Sequence, residues 1–150
     1  MAVKPIPDGY HSVTPYLIVE GAADLIDFIK SAFGGQERFR MAGVNGGVGH
    51  AEVQIGDSVI MLADSGESEG NIKMPAMIHL YVDDCDATYK TALAAGGTST
   101  QEPETKFYGD RNAGVKDAFG NLWYLSTHVE DVPPDEMDRR AAEWTTQQKS

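Results

Sequence analysis

The chain has 150 residues, 41% of them hydrophobic, which is enough for one packed domain and too few for a second large one. A formal charge of −11 at pH 7 repels phosphate backbones and anionic headgroups, so nucleic acid and membrane surfaces are excluded as expected partners. No apolar run approaches the ~20 residues that span a bilayer, Met1 to Gly9 lacks the basic-then-apolar layout of a signal peptide, and the lone Cys85 rules out an intramolecular disulfide or a cysteine-rich zinc site. The expected location is the cytoplasm.

An extended stretch, Ser12 to Val19, runs into Glu20, read as an acidic cap, and then a helix from Ala22 to Phe33, in which Leu25, Ile29 and Phe33 recur every four residues. Gly34-Gly35 suits the left-handed exit from that helix. Arg38 to Met41 reads as a second strand, and after the glycine-rich Gly43 to Gly49 the segment to Leu62 alternates polar and apolar residues about a turn at Gly56-Asp57, the pattern of a β-hairpin. Ser65 to Asn71 reads as a connecting loop. The same order then repeats. Met77 to Val82 is extended, Asp83 or Asp84 can cap a helix from Cys85 to Ala95, and Cys85, Tyr89 and Leu93 share its face. Gly96-Gly97 closes that helix, Thr98 to Glu102 is a further strand, and Ala113 to Ser126 is a hairpin turning at Gly120-Asn121. Beyond Val132-Pro-Pro134 comes a terminal helix with Met137, Ala141 and Trp144 on one face, to cover the chain's own sheet or a partner subunit.

The register of the repeat drifts little: Gly34 to Gly96 is 62 residues and Gly56 to Gly120 is 64. A repeat so regular predicts a single α+β domain of two βαβββ modules. Module one covers about 10–65, a linker 66–73, module two about 74–130, and a helical tail 133–147.

Strand, helix and three strands, performed twice, resemble the vicinal-oxygen-chelate (VOC) superfamily of glyoxalases, bleomycin-resistance proteins and dioxygenases. The local wording is similar to its PhnB-like branch in Val13-Thr-Pro-Tyr-Leu17, Ala32-Phe-Gly34, His50-Ala-Glu52, Ile55-Gly-Asp-Ser58, Met61-Leu-Ala-Asp64, Tyr108-Gly-Asp-Arg111 and Asp117-Ala-Phe-Gly120. The resemblance implies curved mixed sheets around a concave pocket, helices outside, and a homodimer. In metal-dependent members the ligands lie early on a module's first strand and on its last. Those positions fall here on Thr14 and Ile60 (or Met61, one residue on) and on Met77 and Tyr124. None is a good oxygen or nitrogen ligand for a divalent ion, so no cofactor is expected.

Side chains two apart on a strand share a face. Read with the resemblance, this gives an expected ligand pocket of Thr14, Tyr16, His50, Glu52, Gln54, Met77, His79, Tyr81 and Tyr124, with Tyr108 and Arg111 from the loop before a strand. The same parity adds Ile18, Ser58, Leu122 and Ser126 to the pocket, and gives Ala51, Val53, Ile55 and Val59 to the helices. Trp123 reads as core, and His11 and His128 as surface residues. Arg111 either clamps an anionic group of the ligand or pairs with Asp110 to hold its loop. Rings beside small polar groups suit a flat organic ligand with polar edges. The expected function is small-molecule binding or sequestration without the usual metal. The alternative is a metal-dependent lyase, isomerase or dioxygenase with a displaced site at His50, Glu52 and His79. A third reading makes the tail face carrying Trp144 a docking surface.

Overall fold

Both βαβββ modules form. In the computed structural model, which describes residues 2–68 and 70–149, the first module contains β1 (Tyr16–Val19), α1 (Ala22–Phe33), β2 (Gln36–Ala42), β3 (Val48–Ile55) and β4 (Ser58–Asp64). The second contains β5 (Met77–Tyr81), α2 (Cys85–Ala94), β6 (Thr98–Thr105), β7 (Asp110–Lys116) and β8 (Leu122–His128), and α3 (Pro134–Gln148) follows. Glu69, in the expected linker, lies outside the described residues.

Each module forms one mixed sheet, in the orders β1-β4-β3-β2 and β5-β8-β7-β6, with only the first strand of each parallel to its neighbour. The second glycine of each pair is needed for close approach. A Cβ on Gly35 would stand 2.6 Å from the Ile29 side chain, and one on Gly97 2.4 Å from that of Val115. The first glycine supplies the left-handed turn, with φ 66° at Gly34 and 110° at Gly96. Met74 makes a bridge to Ile18, so the linker runs beside the outer edge of β1.

Helix α1 is not capped by neighbouring Glu20. Its N-terminal residue is Gly21, and the acceptor comes from the far end of the module: one oxygen of Asp64 takes the N–H groups of Gly21 and Ala22 at 2.8 Å, while the other takes that of Val48 at 2.8 Å. Thr127 does the same for α2, its hydroxyl accepting from Cys85 N at 2.8 Å and donating to the Val82 carbonyl. Asp84 adds the expected local cap through Ala87 N. A capping acceptor satisfies donors that the helix itself leaves free.

One core runs through both modules. Leu17, Ala51, Val53 and Leu62 meet Leu25 and Ile29 of α1, while Ala113, Val115, Trp123 and Leu125 meet Cys85 and Ala92 of α2. The modules join helix to helix, with Phe33 against Trp123 (ring centroids 4.7 Å apart) and Gly21 under Phe119, so the opposite face of each sheet stays open. Trp123 is core, as expected, and its indole N–H donates to buried Asp117. Two placements on β4 are reversed. Ser58 pairs with Ile55 and Val59 with Gln54, so Ser58 stands on the helix side and Val59 on the open side. A two-residue hairpin loop makes the residues flanking it partners on one face, which shifts any parity counted straight through the turn.

Asp64→Ala should lower the unfolding free energy by about 2–4 kcal/mol, because three backbone donors lose a charged acceptor. Urea denaturation at neutral pH measures this. Burial tends to raise the Asp64 carboxyl, but the N–H groups of Ala22, Val48 and Gly21 outweigh it and hold the pKa below the ordinary value. Its contribution is therefore complete above the usual aspartate range and disappears as the pH falls through the lower folded value. Asp64→Asn should make stability less steep in that acid window.

Candidate functional site

The open face of the second module carries most of the exposed rings. Parallel pairing sets His79 beside Tyr124 and Met77 beside Leu122, and the His79 and Tyr124 rings lie nearly parallel with centroids 6.4 Å apart. The loop between β6 and β7 brings Phe107 and Tyr108 to the same side, edge to face, and Trp144 of α3 reaches over Phe107 at 5.9 Å. These residues line a cavity of about 570 Å³ whose floor includes Gln101 and Asn112. That volume is within the usual range for small-molecule pockets. Among the described residues, neither the His79 ring nitrogens nor the Tyr124 hydroxyl makes a hydrogen bond, so both are available to a ligand.

The open face of the first module is more polar and internally bonded. Tyr16 Oη lies 2.8 Å from His50 Nδ1, His50 Nε2 lies 2.9 Å from one oxygen of Glu52, and the Tyr10 hydroxyl donates to the other. Burial pushes the Tyr16 phenol above its ordinary pKa. Phe39 and Met41 reach this face because β2 bulges at Arg38, which leaves Phe39 opposite Glu52 and Met41 opposite His50. The freed Arg38 guanidinium sits 5.6 Å from the Tyr10 ring centroid and holds the N-terminal segment down. A shallow cavity of about 560 Å³ adjoins Tyr16, Met41, His50 and Glu67. A wider trough of about 780 Å³ between the modules bears Asp57, Asp83 and Asp84.

The sequence profile of the Glyoxalase/Bleomycin resistance protein/Dioxygenase superfamily matches residues 9–125. The chain belongs to that superfamily. An uncharacterized protein of Mycobacterium bovis is 36% identical over 135 residues, covering 84% of this chain and 89% of the relative. An uncharacterized protein of Mycobacterium tuberculosis is 36% identical over the same length and covers 79% of that relative. In fold, the chain is similar to TioX from Micromonospora sp. ML1 (TM-score 0.64, 21% identity, 79% of this chain and 100% of that one). It is also similar to an Arabidopsis thaliana gene product (TM-score 0.64, 23% identity, 78% and 98%).

In this VOC protein the expected pocket residues divide between two faces of one chain. Thr14, Tyr16, His50, Glu52 and Gln54 belong to the first module, where Thr14 is half-buried just before β1 and Gln54 donates to the Gly56 carbonyl. Met77, His79, Tyr108 and Tyr124 come together in the second-module cavity. Tyr81 shares their strand face but lies off the cavity, donating to Asp110. Burial tends to raise the Asp110 carboxyl, but the donors His128 and Tyr81 hold it below its ordinary pKa. Of the positions carried over from metal-dependent relatives, Ile60 proves to be core and Met61 is the residue on the open face, opposite Glu52. Among the described residues, no three His, Cys, Asp or Glu side chains gather into a group able to hold an ion. His50 and Glu52 pair on one sheet and His79 stands on the other.

Arg111 lies away from the second-module cavity. Opposite Thr127 on the helix side of β7, its guanidinium forks onto Asp86 of α2 at 2.6 and 2.9 Å and also reaches Thr105. It does not pair with Asp110, because adjacent strand residues face opposite ways. Asn112, Gln101 and Trp144 entered the cavity without being anticipated. Asn112 was reachable from parity, two residues beyond Asp110 and opposite Ser126, whereas the reach of Trp144 depends on how α3 folds back.

Arg111→Ala should lower the melting temperature while leaving the affinity for anilinonaphthalene sulfonate unchanged. His79→Ala with Tyr124→Ala should weaken the dye and leave melting nearly untouched. Dye fluorescence and calorimetry on the three proteins check the division.

Proposed function

We propose that this protein binds or sequesters a flat organic molecule in the second-module cavity, as a PhnB-like member of its superfamily that works without the divalent ion of catalytic relatives. The observation that carries this reading is the cavity: about 570 Å³ bounded by Tyr108, Tyr124, His79, Phe107 and Trp144. Aromatic walls stack on a planar ligand, and the unspent imidazole and hydroxyl groups meet its polar edge. The donor chemistry does not fit a metal. Met61 and Met77 offer only thioethers, and neutral Thr14 and Tyr124 are weak oxygen donors.

A planar aromatic probe such as anilinonaphthalene sulfonate should quench tryptophan emission through Trp144, which is 48% exposed beside the cavity, while fully buried Trp123 reports nothing. Trp144→Phe should abolish the response. Zinc, nickel, manganese or ferrous ions should give no concentration-dependent rise in melting temperature, since only a species that binds the folded state stabilises it. A metal-dependent rise would overturn the metal-free reading.

The proposed assembly is a cytoplasmic homodimer. Phe39 and Met41 on one open face and Met77 and Tyr81 on the other are exposed apolar side chains, and the outer strands β2 and β6 have free edges. A second copy of the same chain would cover both. Light scattering at micromolar concentration should give twice 16.2 kDa, and a monomeric mass would refute the dimer.

A further inference from the structure

We infer that the cavity is built to select planar ligands carrying a hydrogen-bond acceptor, a carbonyl or an equivalent oxygen, at the edge that meets Tyr108. This rests on the ligand-binding reading above and adds the class of ligand to it.

The inference comes from the direction of three hydrogen bonds. Ser126, fully buried on β8, donates its hydroxyl to Asn112 Oδ1 at 2.7 Å. Asn112, 3% exposed on β7, donates from Nδ2 to the Tyr108 hydroxyl oxygen at 2.5 Å. An amide nitrogen can only donate, so the Tyr108 oxygen is the acceptor and its own hydrogen is left over. Among the described residues that hydrogen has no acceptor, and the ring lies on the cavity wall. Each bond in such a chain polarises the next, so Tyr108 is a stronger donor than an isolated phenol. Gln101 secures the strand beneath by donating to the Asn112 carbonyl at 3.3 Å.

The donor is also held still. The loop bearing Tyr108 closes through Lys106 N to the Asp110 carbonyl at 2.7 Å, and the Gly109 carbonyl accepts from both Val129 N and Glu130 N. Gly109 has φ 97°, and a Cβ there would stand 2.2 Å from the Glu130 carbonyl oxygen, so the loop sits directly on the chain leaving β8. Phe107 packs edge-on against the Tyr108 ring at 5.3 Å. A fixed donor discriminates better than a mobile one, because a ligand lacking the acceptor must leave it desolvated and unpaired. His79 and Tyr124 can each donate or accept, so neither sets this preference.

Three tricyclic probes share one flat frame and differ only at one edge: fluorenone presents a carbonyl, fluorene a methylene and carbazole an N–H donor. Titrations of the full chain, followed by fluorescence or calorimetry, should show fluorenone binding about tenfold tighter than the other two, the scale of one net hydrogen bond. Tyr108→Phe should bring fluorenone down to the level of fluorene. Ser126→Ala, which touches no ligand, should reduce the fluorenone advantage severalfold while leaving fluorene affinity unchanged, a pattern that general loosening of the cavity would not produce. Equal binding of all three probes by the unaltered protein would overturn the inference and leave the cavity reading standing. So would a persistent fluorenone advantage in Tyr108→Phe. A preference for carbazole would mean that Tyr108 donates inward to Asn112 and would overturn it as well. Failure of every probe to bind would overturn the cavity reading and this inference together.

Discussion

The whole arrangement depends on the end of each module's last strand capping the start of its own helix. Asp64 at the end of β4 takes the first N–H groups of α1, and Thr127 near the end of β8 takes that of α2. Both are long-range closures that tie the first and last thirds of a module together, about 42 residues apart in each case. Because the helix axis is fixed from the sheet, its apolar stripe must lie on one face of that sheet, and the other face is left to face outward. Asp64 also takes Val48 N, so one carboxylate positions the helix and the start of β3 together.

That division of faces explains the chemistry. The helix-side residues in the middle of each sheet are apolar, with the polar Ser58, Arg111 and Thr127 near strand ends, while the open faces carry tyrosines, histidines, Glu52 and Asn112. The two open faces have diverged. In the first module the polar side chains satisfy one another in the chain Tyr16, His50, Glu52 and Tyr10, which leaves little for a ligand to use. In the second, the buried polar groups pass their hydrogen bonds outward and the rim is aromatic. One open face is braced by the N-terminal segment beside a shallow polar cavity, and the other carries the aromatic-walled one.

How much of this was readable from the sequence follows from the range of the interactions involved. Leu25, Ile29 and Phe33 at four-residue spacing, ended by Gly34-Gly35, fix α1 locally, and its limits match the spacing. The hairpins at Gly56-Asp57 and Gly120-Asn121 are equally local. Glu20 looked like the cap of α1 because it is adjacent, yet the acceptor sits on a strand that only tertiary structure brings near. Ser58 and Val59 were exchanged because pairing resets parity across a two-residue turn. The sequence reads Arg111 as part of a loop, but β7 already begins at Asp110 and turns Arg111 toward α2. Parity tells which residues share a face and not which faces meet.

The bridge from Met74 to Ile18 gives the connection between modules a role beyond spacing. At Met74 it occupies the backbone of Ile18 on the edge of β1, where another chain could otherwise add a strand. A fusion or insertion between Ser65 and Met74 that lifted this segment away would uncover that part of the β1 edge. Protein engineers choosing a permissive position in this chain would do better in the turn at Gly56-Asp57.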